Sequence, residues 1–452
     1  MTRLSTIDSS FLRIETPSAH MHVGWLSIVE PPAGSDRVEL AELTQRVAGR
    51  LHLLPRFRQR VTPVPFGLAE PVWCDFPAFD VHDHVRELPP AVVKLGVQRC
   101  VDAFFSEPLR RDRPLWEIAL IPRLADGNCA LVGKIHHAMV DGVAAVELGL
   151  LLFDIAADAE IPSPAPWRPA PAQSRASIAF DAVADRTSDA VRTAGRAAGL
   201  IRRPGSAAAG VQTVARATLS IARDVLQPAP ASHLNVEIGP ARVLVTHSIA
   251  LARLVALKDR CGVKLNDVVL ATCAGALRRY ALSCGERPRN LRVMVPVNTR
   301  QPGEHTAGAG NRITFGFVEL PVGCDSTAER LRRVSASMEA LKRDGRIPGS
   351  SALLAGASAL PEPAKDRAAR IAASPRLYNL IISNVPGPRT PLYVGRARVR
   401  SIHPVIPIPD RHALSIGVLT YDRSAHFSCY ADPRALPGVE KLADAIEDAL
   451  IE

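Results

Sequence analysis

The sequence predicts a mixed α/β fold in two domains, on three observations. Short apolar runs alternate with stretches of helical spacing in both halves of the chain. At 452 residues and 47% hydrophobic, the chain can bury a large core and form more than one domain. A proline-rich break between Pro162 and Pro171 separates the halves. These features give residues 1–156 as a first domain, 157–234 as a linker and helical connector, and 235–452 as a second domain.

In the first domain, residues 23–29 and 117–121 have strand character, and residues 40–53 have helical spacing. The basic run Pro55-Arg56-Phe57-Arg58-Gln59-Arg60 is either a phosphate-facing patch or a solvated edge. His82 and His84, alternating with Asp80 and Asp83, read as strand-end polar residues rather than metal ligands.

Residues 130–135 form a buried-strand run, and after Val143 the apolar Val146, Leu150 and Phe153 recur at helical spacing. Between them lies His136-His137-Ala138-Met139-Val140-Asp141-Gly142. A histidine at a strand end can keep one ring nitrogen free, and its near-neutral pKa suits taking a proton from a hydroxyl. His136 and His137 are therefore candidate general bases. Asp141 either fixes the turn or caps the next helix, and Gly142 permits close backbone approach. No His-Glu-x-x-His run or Cys-x-x-Cys pair accompanies them, so no metal site is predicted.

Beyond the break, residues 174–226 are rich in Ala and Arg. Val211, Val214, Thr218, Ile221 and Val225 form an apolar stripe with Arg216 and Arg223 off it. Such a segment either packs on its own protein or lies on an anionic membrane or lipid droplet. In the second domain, strands are expected at residues 243–251, 292–297, 313–320, 377–382 and 414–421, and helices at 254–261, 266–280 and 439–451. Asn266 and Asp267 either cap a helix or face substrate. Ser383-Asn384, followed by Pro386-Gly387-Pro388, reads as a strand end exposing polar groups at a rigid bend. Ser383 there either stabilises an oxyanion or belongs to an ordinary turn.

The formal net charge of +10 suits anionic partners, although an arginine-rich composition arises equally from a GC-rich genome. Aromatic residues make up only 5%, and no nucleic-acid motif is present, so nucleic acid is not an expected partner. Eight scattered cysteines without tight pairing read as reduced thiols. No leader-like opening and no apolar run of roughly 20 residues are seen, so the expectation is a cytosolic protein without a spanning helix.

The His136–Gly142 run matches the HHxxxDG motif of the CoA-dependent acyltransferase superfamily. More of the chain resembles one branch, the bacterial wax ester synthase/diacylglycerol acyltransferase family. The resemblance rests on Leu4-Ser5-Thr6-Ile7-Asp8 with Phe11-Leu12, Met21-His22-Val23-Gly24 and Pro114-Leu115-Trp116. It continues through Asn266-Asp267, Pro296-Val297-Asn298-Thr299-Arg300, Gly310-Asn311 and Ser383-Asn384-Val385-Pro386-Gly387-Pro388. It implies two chloramphenicol acetyltransferase-like domains with an active-site tunnel at their interface. It also implies acyl-CoA as a substrate, no cofactor, diacylglycerol or a fatty alcohol as acceptor, and His137 as general base without a covalent intermediate. His136 then supports the fold, and Arg300 is the implied partner of Asp141, as in related plant acyltransferases. Pro114, Trp116, Asn266, Asp267, Asn298, Ser383 and Asn384 become substrate-binding or supporting residues. Three alternatives stay open: a condensation-type enzyme using a carrier-protein thioester, a non-catalytic lipid-binding or droplet protein, and a glycerol-phosphate acyltransferase sharing the His136-to-Asp141 spacing. No Gly-x-Ser-x-Gly elbow is present to suggest a serine hydrolase.

Overall fold

Short runs of β-branched and other apolar residues supply the strands. The computed structural model describes residues 2–35, 37–89, 93–94, 96–139, 149, 151–184, 227–298, 313–343 and 361–451. Their strands form two six-stranded sheets and one small sheet of β1 (Thr2–Arg3), β3 (Gln59–Thr62) and β4 (Val72–Asp75). The first large sheet contains β2 (His22–Glu30), β5 (Val85–Glu87), β6 (Trp116–Ile121) and β7 (Cys129–His136). It also takes in β12 (Tyr393–Val394) and β13 (Ala397–Val405), in the order β12-β13-β2-β7-β6-β5. The second contains β8 (Val243–Ala250), β9 (Leu291–Asn298), β10 (Ile313–Leu320), β11 (Leu380–Pro386), β14 (Leu414–Tyr421) and β15 (Ser424–Ala431). Its order is β10-β9-β11-β14-β15-β8, with β11 parallel to both neighbours.

Residues 393–405 therefore cross the boundary drawn at 235. β13 pairs antiparallel with β2, bringing Val405 opposite Gly24. It also passes close to the second sheet, where a Cβ on Gly417 would meet the Pro404 carbonyl at 2.9 Å. Glycine at 417 allows this approach. The two sheets also share one continuous core: Leu26, Ala130 and Val132 of the first sheet join Val268, Ile416 and Phe427 of the second half in a single buried cluster. The helix α5 (Leu265–Ser283) lies within it, buried without a break from Asp267 to Leu277. A helix apolar on all sides belongs inside a protein rather than on its surface.

The strand ending expected at Ser383 runs on to Pro386. Ser383, Asn384 and Val385 pair with Gly417, Val418 and Leu419 of β14, and Pro386 pairs with Thr420. Among the described residues, β9 pairs with β11 at Leu380 and Ile381, short of the proline. Ser383 is buried in this strand rather than displayed at a bend.

The basic run at 55–60 is only in part a solvated edge, with Arg60 exposed and Arg58 buried. Arg56 lies over the Trp73 ring, Arg58 over Trp167 and Arg60 over Phe76, so the guanidinium groups pack on aromatic faces. His82 is exposed beside Asp80, while His84 is buried and stacks on Trp116. Of the basic connector, residues 175–184 are helical, and Ile178 and Ala182 pack against Val64 and Val72. The stripe from Val211 to Val225 lies outside the described residues. Among those described, no helix is long and apolar enough to cross a membrane.

Candidate active site

The histidine pair is delivered by β7, whose eight residues are all buried between β2 and β6. Strand alternation turns Leu131 and Ile135 to one face, and Ala130, Val132, Lys134 and His136 to the other, which meets the second half of the chain. On that face three polar side chains are held by backbone groups. Lys134 Nζ donates to the carbonyls of Phe104 and Glu107, each at 2.8 Å. His22, in register with His136, accepts from the backbone N–H of Leu109 through Nε2 at 3.2 Å. His136 Nδ1 accepts from the backbone N–H of Ala138 at 3.0 Å.

Neighbouring strands grip the backbone where the ladder ends. His136 N donates to Leu115 O at 2.9 Å, and His137 N donates to Met21 O at 2.8 Å. A short 3-10 turn over His137–Met139 follows. The sequence blocks around Met21 and Leu115 are thus the two walls of the turn. Pro114 and Trp116 serve the same wall: both are buried, and Trp116 Nε1 donates to Phe57 O at 2.8 Å. Trp116 is entirely enclosed in the core.

The helix α1 (Thr6–Ile14) backs the pair from the other side. Ser5 caps it by accepting from Asp8 N at 3.0 Å. Phe11 stacks on the His137 ring, with centroids 3.7 Å apart and planes 13° from parallel. Glu15, just past the helix end, places Oε1 3.6 Å from His136 Nε2, while its other oxygen pairs with Arg111. Arg13 fastens the helix to Glu70 and Asp366, both at 2.6 Å, and to Glu362 at 2.5 Å. Lys365 joins the group through Glu70 at 2.9 Å and Glu362 at 3.0 Å. Three of these residues belong to α7 (Glu362–Ala372), so this largely buried ionic cluster, with Asp366 at its exposed edge, ties α1 to the second half. Burial raises the Glu70 carboxyl, but bonds from Ser9, Lys365 and Arg13 more than offset it and hold it below the usual range.

Burial pushes the His136 imidazole down to about 3, with the Arg111 charge adding to the effect. His137 is half-buried, and loss of water pushes it down to about 4 against the raising influence of its own backbone carbonyl. The near-neutral value expected from sequence is not met: both rings are neutral well below physiological pH. His136 and Glu15 consequently face each other as an N–H dipole and a carboxylate rather than as an ion pair. Among the described residues no group of three or more His, Cys, Asp or Glu side chains is arranged to hold a metal ion.

The second cluster of sequence candidates lies where α5 meets β11. Asn384 Nδ2 donates to Asn266 Oδ1 at 3.2 Å, while Asn384 Oδ1 is buried without a hydrogen-bond partner. The adjacent Asp267 turns away. Its Oδ2 accepts from Lys264 N at 3.3 Å and from Ser335 Oγ at 3.1 Å, closing the first turn of α5 and holding it to α6 (Thr327–Arg343). Asp267 is the capping residue of that pair, and Asn266 is the one facing β11. Asn298 ends β9, but its side chain, and the whole of Asp141, Gly142 and Arg300, lie outside the described residues. Phe11, Glu15 and Arg111 were not singled out individually from sequence. Phe11 enters through the Phe11-Leu12 block alone, and Glu15 and Arg111 carry no sequence signal.

Known proteins resemble the chain along its whole length. A model described as the wax ester synthase/diacylglycerol acyltransferase catalytic domain matches residues 4–269, and the WS/DGAT C-terminal domain matches residues 309–452. The "Probable diacyglycerol O-acyltransferase tgs2" of Mycobacterium tuberculosis is 33% identical over 98% of this chain and 96% of its own length. The similarly named tgs1 protein of the same species is 32% identical over 100% and 95%. The solved wax ester synthase/diacylglycerol acyltransferase from Marinobacter aquaeolei VT8 superimposes with a TM-score of 0.67 at 25% identity, covering 100% of this chain and 98% of that one. A starter condensation domain of rhizomide synthetase shares the fold, with a TM-score of 0.60 at 15% identity and coverage of 100% and 94%. From these likenesses, which run the length of the molecule, the chain belongs to the wax ester synthase/diacylglycerol acyltransferase family and is an acyltransferase.

Proposed function

We propose that the protein moves a long-chain acyl group from acyl-CoA to a lipid hydroxyl, with diacylglycerol or a fatty alcohol as acceptor and His137 as general base. The setting of His137 carries this reading. Its ring is neutral and held flat against Phe11, and its Nδ1 is buried without a hydrogen-bond partner among the described residues. Nε2 is then the nitrogen that offers a lone pair to a substrate.

In the reaction, Nε2 takes the acceptor's hydroxyl proton as the oxygen attacks the thioester carbonyl. The C–S bond of the resulting adduct breaks, and the departing CoA thiolate takes the proton back from Nε2. One ester and one CoA thiol are formed, and the ring ends neutral, so no acyl-enzyme and no further cofactor are required. Because burial disfavours the imidazolium, the ring holds the proton only briefly. Holding both substrates together supplies much of the acceleration.

The names of the relatives support this substrate class, and the net charge of +10 suits an acidic lipid surface as the place where acceptors are met. Thiol release from palmitoyl-CoA, measured with hexadecanol or dioleoylglycerol and followed by mass spectrometry of the ester, should depend on the acceptor and identify its class. Release no faster than hydrolysis with either acceptor would refute long-chain transfer and direct attention to carrier-protein thioesters.

A further inference from the structure

We infer that Glu15 is a positioning residue for the histidine turn: it fixes the tautomer of His136 and thereby the bend that presents His137. The backbone N–H of Ala138 points at His136 Nδ1 at 3.0 Å, so Nδ1 must carry a lone pair. A neutral imidazole then bears its proton on Nε2. That atom is buried in a residue only 1% exposed and has no conventional hydrogen bond, and the Glu15 carboxylate stands 3.6 Å in front of it. The separation exceeds a formed hydrogen bond, so in the free protein the attraction is between charge and dipole.

Glu15 is itself held in place. Its second oxygen pairs with Arg111, and Arg111 also reaches the Leu12 carbonyl at 3.4 Å in the last turn of α1. In the other tautomer, two N–H groups would meet at Nδ1 and a lone pair would face the carboxylate. Both changes are unfavourable, and the Ala138 contact that closes the turn would be lost. Phe11 precedes Glu15 by four residues and lies on the His137 ring, so one short segment sets both imidazoles.

The kinetic consequence rests on the proposed function, whereas the tautomer is a property of the free protein. In Glu15→Ala, kcat with palmitoyl-CoA and dioleoylglycerol should fall roughly tenfold to a hundredfold, with both KM values within about twofold of the parent. Glu15→Gln keeps an acceptor oxygen and should recover kcat to within about threefold. Nitrogen NMR of histidine-labelled protein should show His136 protonated on Nε2 in the parent and in Glu15→Gln, and a mixture of tautomers in Glu15→Ala. If Glu15→Ala does not fold, Glu15→Leu fills the space without an acceptor and takes its place. An unchanged tautomer in the acceptor-less variant overturns the inference, as does an unchanged kcat or a Gln variant as impaired as Ala. If the parent protein shows no acyl transfer, the nitrogen spectra still decide the role of Glu15, so the two readings fail separately.

Discussion

The end of β7 and the meeting point of α5 with β11 are both buried and polar, yet they are finished to different degrees. At the end of β7, Lys134, His22 and His136 each have a backbone partner. The helix behind the histidines is fastened by Arg13, Glu70, Lys365, Glu362 and Asp366. At the second place, Asn384 reaches Asn266 with one side-chain atom and leaves its buried carbonyl oxygen without a partner. An orphaned acceptor costs about 1–3 kcal/mol, and proteins keep such groups where something else completes them. The two places therefore differ in how firmly they are fastened and not in orphaned atoms, since His22 Nδ1, His136 Nε2 and His137 Nδ1 are also buried without partners among the described residues.

The largest effect should come from acid and act on the fold as a whole. His136 and His403 are pushed to about 3, and His137, His412 and His426 to about 4, with burial the leading cause in each. Unfolded histidine titrates near 6.5, so between there and about 4 the unfolded chain binds more protons than the folded one. Stability is therefore greatest above about 6.5 and falls as pH drops, by up to about 1.4 kcal/mol per pH unit for each histidine. Urea midpoints at pH 7.5, 6 and 5 should decline in that order; a flat series would contradict the burial of these rings.

Next in size, Glu70→Ala should weaken only the finished region. Removing this carboxylate deprives both Arg13 and Lys365 of a buried partner, and breaking such a group costs about 3 kcal/mol. Part of the loss will be moderated by Glu362, which touches both cations. A change below about 1 kcal/mol in urea unfolding would mean that α1 is held chiefly by its apolar contacts.

The smallest stability effect belongs to the unfinished region. Asn384→Leu removes the orphan oxygen and should change unfolding free energy by less than about 1 kcal/mol, while raising KM for one of the two substrates several-fold. Loss of stability with unchanged kinetics would place Asn384 among the supporting residues and erase the contrast.

Much of this arrangement is written locally. Ile313–Leu320 and Leu414–Tyr421 are strands with the limits their apolar runs suggest, and the strand delivering His136 differs by one residue at each end from its apolar run. Buried strands are continuous apolar blocks, so pattern alone locates them. Other features depend on contacts between distant residues. Glu15 and His136 are brought together by the packing of α1 against the turn, and no periodicity records that. The extension of β11 through Pro386 rests on pairing with β14, which the Pro-Gly-Pro signal cannot reveal. The low affinity of His137 for protons follows from tertiary burial, whereas the residue type by itself suggests a neutral-range base.

If His137 moves the proton in the proposed acyl transfer, its loss must cost turnover without unfolding the protein. The direct measurement compares acceptor-dependent CoA release from palmitoyl-CoA by the parent protein and by His137→Ala, with urea unfolding run on both. A loss of about 10²–10⁴-fold in kcat is expected, with the folded state retained. A folded His137→Ala protein that turns over within a few-fold of the parent would contradict it.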